Sequence, residues 1–231
     1  VYKSIIIFLP LLLNSILFFS STHSTLDWEE ASNKKRKYTT IINLKFMNKK
    51  INREQAILIL KKMVSNKSLF IHSMSIGIVM EEYAYKLNED KDEYFITGIL
   101  HDADYEKFPD QHPKIIVNKL YELNQTKIAH AISCHYSKWN VICENNLDKY
   151  LLACDEITGF IVACTKVRPD GITSLKSKSV LKNLRKKSFA ASVERDEIYL
   201  GSKLINKELK DHIDFIIEAL KKNSDILELK T

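Results

Sequence analysis

Only five glycines and four prolines punctuate 231 residues. A β-sandwich or barrel needs turn formers at about every 8–12 residues, so this count argues against an all-β fold. Between the few breakers, apolar residues recur at helical spacing almost throughout. The pattern predicts helices over 52–64, 68–87, 92–102, 113–123, 126–135, 147–167, 176–184, 196–205 and 209–221. Asn52 with Gln55 three residues later forms a capping-box signature, and Ile51 precedes it as a staple. No alternating strand pattern and no internal repeat appears. An all-α helical bundle is expected, with loops at 103–111, 136–146 and 168–174.

Residues 1–46 do not share this character. An apolar run from Ile5 to Phe19 follows Lys3 and precedes Ser20 and Ser21, the layout of a secretory signal. The run is short and interrupted for a membrane span. The chain opens on Val1, and Met47 begins a stretch that reads as a cytoplasmic start. We therefore expect 1–46 to be a leader, signal-like or upstream sequence translated in error, and 47–231 to be the folded domain. The leader holds six of the Lys/Arg and three of the Asp/Glu, so half of the formal charge of +6 leaves with it. The remainder is too mild to argue for nucleic acid. Aromatic and basic residues are not interleaved as single-strand binding requires, so no stable nucleic-acid partner is expected.

The four cysteines, Cys134, Cys143, Cys154 and Cys164, show no CxxC spacing, so spacing supports neither a thiolate zinc site nor a disulfide framework. Cys134, Cys154 and Cys164 lie in apolar surroundings and read as buried free thiols. A reducing, cytoplasmic compartment is expected, with secretion or membrane attachment only if residues 1–46 are a genuine signal.

Seven histidines occur, and five of them fall between positions 72 and 135. His101-Asp102 closes a helix whose preceding residues are Ile96, Gly98, Ile99 and Leu100. A carboxylate leaving a buried helix is costly unless a cation accompanies it. Asp155 repeats the anomaly inside LLACDEITGFIVAC. These two aspartates and the histidine cluster point to one metal centre. Imidazole and carboxylate together suit borderline divalent ions such as Mn, Fe, Co, Ni or Zn. For His23 and His212 the expected state is a packed or solvated histidine. His130 stands five residues before His135, so the two point to different sides of one helix.

The order His72, His101-Asp102, Asp155 resembles the HD superfamily of metal-dependent phosphohydrolases. TGILHDADYEKFPDQHP (97–113), ACDEITGFIVACTKVRPDG (153–171) and SVLKNLRKKSFAASVERDEI (179–198) look like blocks of small bacterial and archaeal HDIG-type hydrolases. The resemblance runs from about Met47 to the C terminus. It implies an all-α HD fold around a central metal site. His72, His101, Asp102 and Asp155 match the four core ligand positions. His112 and His135 stand where two-metal members add histidines, so a six-ligand centre with Asp102 bridging one or two divalent ions is implied.

Other residues are candidates beside these. Asp104 can orient or deprotonate the attacking water, or cap a turn. Arg168 can pair a substrate phosphate. Lys182 and Lys186, within a basic segment that also holds Lys178, Arg185 and Lys187, can form a rim that draws in an anion. The expected reaction is hydrolysis of a phosphate ester or anhydride of a small molecule, with a nucleotide as the leading case. Two other activities fit the same residues: sensing a nucleotide or phosphorylated signal without turnover, and oxygenation at a dinuclear iron centre. No membrane span is expected in the folded domain.

Overall fold

A computed structural model describes residues 50–230. The leader expected at 1–46, its boundary with the domain and His23 lie outside the described residues. Among the described residues there are nine α-helices and no strand. They are α1 (Arg53–Met63), α2 (Lys67–Leu87), α3 (Lys91–Leu100), α4 (Lys114–Glu122), α5 (Thr126–His135), α6 (Asn146–Lys166), α7 (Ser177–Leu184), α8 (Arg195–Leu204) and α9 (Leu209–Lys222). Their ends fall within about two residues of those expected from periodicity, the usual tolerance of helix boundaries. The all-α architecture is thus the one the sequence pattern implies.

Local chemistry sets these ends. The Asn52 side chain accepts the Gln55 N–H, and the Gln55 side chain accepts the Asn52 N–H, completing the capping box of α1. Asn66 caps α2, and Asp90 caps α3 by accepting two backbone N–H groups. α6 opens with a second capping box, Asn145 with Asp148. Each such cap supplies an acceptor for N–H groups that the first turn leaves unpaired.

Two 21-residue helices, α2 and α6, pack against each other and form the spine. α3 lies along α2, α5 and α8 lie on α6, and α9 closes over α2 and α7. The α2–α3 contact is a backbone approach permitted by two glycines. A Cβ placed on Gly98 would sit 2.7 Å from both Cα and N of Gly77 and 2.8 Å from the Ile76 carbonyl carbon. None of those atoms can swing away. Gly98→Ala should therefore force α2 and α3 apart and destabilise the protein by up to about 3 kcal/mol. Urea unfolding measures this directly; an unchanged midpoint would mean that the approach is looser than described.

His212 illustrates a histidine absorbed by the core. It is fully buried on α9. Its Nε2–H donates to the Ala153 carbonyl at 2.8 Å, and its Nδ1 accepts from the Tyr83 hydroxyl at 2.6 Å. Burial pushes its pKa down to about 4. The neutral ring is the one the fold accommodates. Its contribution is therefore fully present above the ordinary histidine pKa and is lost as pH falls through about 4. This group should withdraw about 2 kcal/mol of stability between pH 7 and pH 5. His212→Gln, which keeps one donor and one acceptor, should lose that much less over the same range in denaturant titrations.

Candidate metal centre

The ends of α3 and α5, the turn before α4, the second turn of α2 and the middle of α6 converge on one cluster. His72 comes from α2, and Asp155 from α6. His101 and Asp102 follow the last residue of α3. His112 precedes α4, and His135 ends α5. All six residues that the sequence reading assigned as ligands meet here.

The orientation of the four imidazoles is fixed from behind. His101 Nδ1–H donates to the Gly98 carbonyl at 2.7 Å, and His135 Nδ1–H donates to the Ile132 carbonyl at 2.5 Å. His112 Nδ1–H donates to the Asp104 carboxylate at 2.7 Å. In all three rings the Nε2 atom is turned inward. His72 sits against Gly159 of α6, where a Cβ would come within 3.3 Å of its ring. Its Nε2 also points inward, 3.2 Å from Asp155 Oδ1.

Asp102 stands between two pairs of these nitrogens. Its Oδ2 lies 3.7 Å from His72 Nε2 and 3.4 Å from His101 Nε2. Its Oδ1 lies 3.3 Å from His112 Nε2 and 3.6 Å from His135 Nε2. Asp155 Oδ1 joins the first pair, 3.3 Å from His101. His72, His101 and Asp102 thus form one group that can hold an ion, and Asp102, His112 and His135 form another, with Asp102 common to both.

These residues fit a divalent ion. Ligands about 2.1 Å from a common centre stand about 3.0–3.4 Å apart at octahedral or tetrahedral angles. The observed separations fall on or just above that range. Buried His101 Nε2 has no hydrogen-bond partner at all. Among the described residues, neither Asp102 nor Asp155 ion-pairs with a lysine or arginine. Burial opposes charge on both aspartates, yet the surrounding histidines hold both carboxyls well below their usual range. Burial likewise opposes a charged His101, and Asp102 and Asp155 outweigh it, raising that imidazole well above its usual pKa. The cluster therefore demands positive charge at its middle, which a cation can provide.

A cleft of about 690 Å³ opens onto the cluster. Tyr105, Tyr136, Lys138 and Glu156 line it beside His72, Asp102, His112, His135 and Asp155. Burial first, then Asp155, pushes Glu156 up to about 8. Sequence reading singled out none of these four lining residues, because nothing in their spacing marks them.

The remaining assigned residues fall elsewhere. Asp104 does not face the cleft, contrary to its assignment as a group acting on the attacking water. It is fully buried, and its second oxygen accepts the Ile116 backbone N–H at 2.9 Å. Both oxygens are engaged in holding His112 and the start of α4. Arg168, assigned to a substrate phosphate, instead pairs with Asp170 at 3.2 Å and hydrogen-bonds Ser174. Neither it nor Lys182 or Lys186 lines the cleft; the lysine that does is Lys138. A basic run fixes charge but not direction. The block SFAASVER does reach the cleft, through Ala190, Ser192, Val193 and Glu194. Arg195 shapes it by donating to the carbonyls of Leu184, Lys186, Phe189, Ala190 and Val193.

A helical domain with a histidine–aspartate centre at its middle has the donor set to hold a metal ion. Residues 69–158 match the family model of the HD domain. That segment is an HD domain by this match, and it encloses all six cluster residues. That family points to divalent-metal binding and, in general terms, to metal-dependent hydrolysis. No curated protein and no solved structure matched the chain. Among the described residues no helix is long and apolar enough to cross a membrane.

Proposed function

We propose that this protein is a phosphohydrolase that cleaves a phosphate ester or anhydride of a small molecule, of the nucleotide class, using one or two divalent ions held by the central cluster. The observation that carries the reading is the division of Asp102. One oxygen faces His72 and His101 and the other faces His112 and His135, at the floor of an open cleft. When bound, divalent ions there acidify a water and neutralise phosphate oxygens. Asp155 and the paired histidines hold the charge in place without moving during the reaction, which is the economy of a preorganised site. Asp104 keeps the His112 tautomer that turns Nε2 inward.

The cleft itself narrows the substrate. About 690 Å³ accommodates a nucleotide-sized molecule. Tyr105 and Tyr136 offer faces for a base or sugar, and Lys138 at its mouth offers one positive charge. Glu194 and Glu197 also line the cleft. These carboxylates favour hydroxyl or amino donors over a long polyphosphate, so a substrate with one phosphate fits best.

The test begins with metal content of protein purified without chelator, followed by phosphate release from a panel of nucleotides and sugar phosphates. One or two divalent ions per chain, and turnover lost on chelation and restored by Mn, Fe, Co, Ni or Zn, are expected. Failure to bind any of these ions would remove the hydrolase reading. Iron with oxygen consumption and no phosphate release would replace it with the oxygenase.

A further inference from the structure

Along α5 and the start of α6, a second set of donors meets. His130 and Cys134 stand four apart on α5 and share a face. Asp148 lies in the first turn of α6. The loop joining the two helices passes over Cys134, whose thiol donates to the Ile142 carbonyl at 3.5 Å, and Cys143 is the next residue along it. His130 Nδ1 lies 3.1 Å from Asp148 Oδ2 and 3.6 Å from Cys134 Sγ. Ligand atoms of His130, Cys134 and Asp148 all lie within 4.8 Å of one another. A sulfur at about 2.3 Å and a nitrogen at about 2.0 Å from one tetrahedral ion stand about 3.5 Å apart, close to the observed pair.

Helix capping explains only part of this arrangement. Asp148 Oδ2 accepts the backbone N–H groups of Glu144 and Asn145 and the Asn145 side chain, as a capping box requires. Asp148 Oδ1 is buried and has no partner. The whole residue is 0% exposed, and its one ion-pair partner among the described residues is His130. A buried carboxylate that lacks its full set of partners, an imidazole and a thiol, all within 4.8 Å, make a donor set for a thiophilic cation.

We propose that His130, Cys134 and Asp148 form a second metal site, separate from the central cluster, for a thiophilic divalent ion of the zinc class, with Cys143 of the adjoining loop recruited as the fourth donor. The ion would fasten the 136–145 loop to α5 and α6. That loop carries Tyr136 and Lys138, which line the cleft, so the site is a structural clamp beside the chemistry. It does not depend on the hydrolase reading. CxxC spacing does not reveal it, because the two thiols are nine residues apart and converge only through the loop.

Cobalt distinguishes the two sites, since none of the six central residues is a cysteine. The reduced full chain loaded with Co(II) should show a near-ultraviolet thiolate-to-cobalt charge-transfer band. The band should persist in a His101→Ala/Asp102→Ala variant and disappear in Cys134→Ser/Cys143→Ser. Absence of the band in the unaltered protein, or its survival in the serine variant, overturns the proposal. A second measurement needs no variant. Zinc should slow alkylation of Cys143 in the folded protein by at least about tenfold, because a metal-held thiolate is withdrawn from the reagent. Equal alkylation with and without zinc, or a Cys134–Cys143 disulfide in protein isolated under reducing conditions, likewise overturns it.

Discussion

Asp102→Ala should yield a protein that binds no ion at the central cluster and whose turnover falls by at least about a thousandfold. The expectation follows from the position of one carboxylate between two pairs of imidazoles, each oxygen serving its own pair. Asp102→Asn is the sharper variant. The amide keeps the shape but has one oxygen, so it can serve one histidine pair while its NH₂ group confronts the other. One ion per chain should remain at this cluster where two bound before. Metal content by mass spectrometry, measured on a background lacking Cys134 and Cys143, reads this directly. Two ions retained in Asp102→Asn would show that the carboxylate does not bridge. Full turnover in Asp102→Ala would show that chemistry does not pass through the cluster at all.

The two aspartates at the centre were legible because each contradicts its own neighbourhood. Asp102 follows Ile99 and Leu100, and Asp155 interrupts one of the most apolar stretches of the chain. A charge in such a place asks for a counter-charge whatever the fold. The helices were legible for a related reason: apolar periodicity and capping residues are local properties, and α1, α2, α3 and α6 obey both. His112 and His135 were reachable only through the family resemblance. Their own surroundings carry no comparable contradiction, and ligands from separate helices have no fixed spacing.

What stayed hidden depends on direction rather than composition. Lys182, on α7, and Lys186, just beyond its end, supply charge near the C-terminal half, yet neither lines the cleft. Arg195 reads as an ordinary basic residue at the start of an amphipathic helix. Its guanidinium instead gathers five carbonyls and sets the wall formed by Ala190 and Val193. Cys143 reads as an isolated loop thiol until the chain folds back toward Cys134. In each case the decisive fact is a contact between residues whose separation in sequence has no period, and local pattern is silent there.

Asp104 shows how such a contact governs the site from behind, and it supports the second large effect. The carboxylate takes His112 Nδ1–H at 2.7 Å with one oxygen and the Ile116 N–H at 2.9 Å with the other. Asp104→Ala would strand a buried imidazole N–H and a buried backbone N–H together. Each costs about 1–3 kcal/mol, so unfolding should become easier by roughly 2–6 kcal/mol. Asp104→Asn separates stability from tautomer. If the amide oxygen stays with Ile116, its NH₂ group faces His112 Nδ1, which must then accept a hydrogen bond. The proton moves to Nε2, the atom turned toward Asp102, and that atom can no longer ligate. Affinity at the His112–His135 half should fall by about 10–100-fold while the half built from His72, His101 and Asp155 keeps its ion. Metal titration followed by imidazole NMR distinguishes the halves. A uniform loss at both would mean that Asp104 acts through the fold alone, and no loss would mean that His112 is not a ligand.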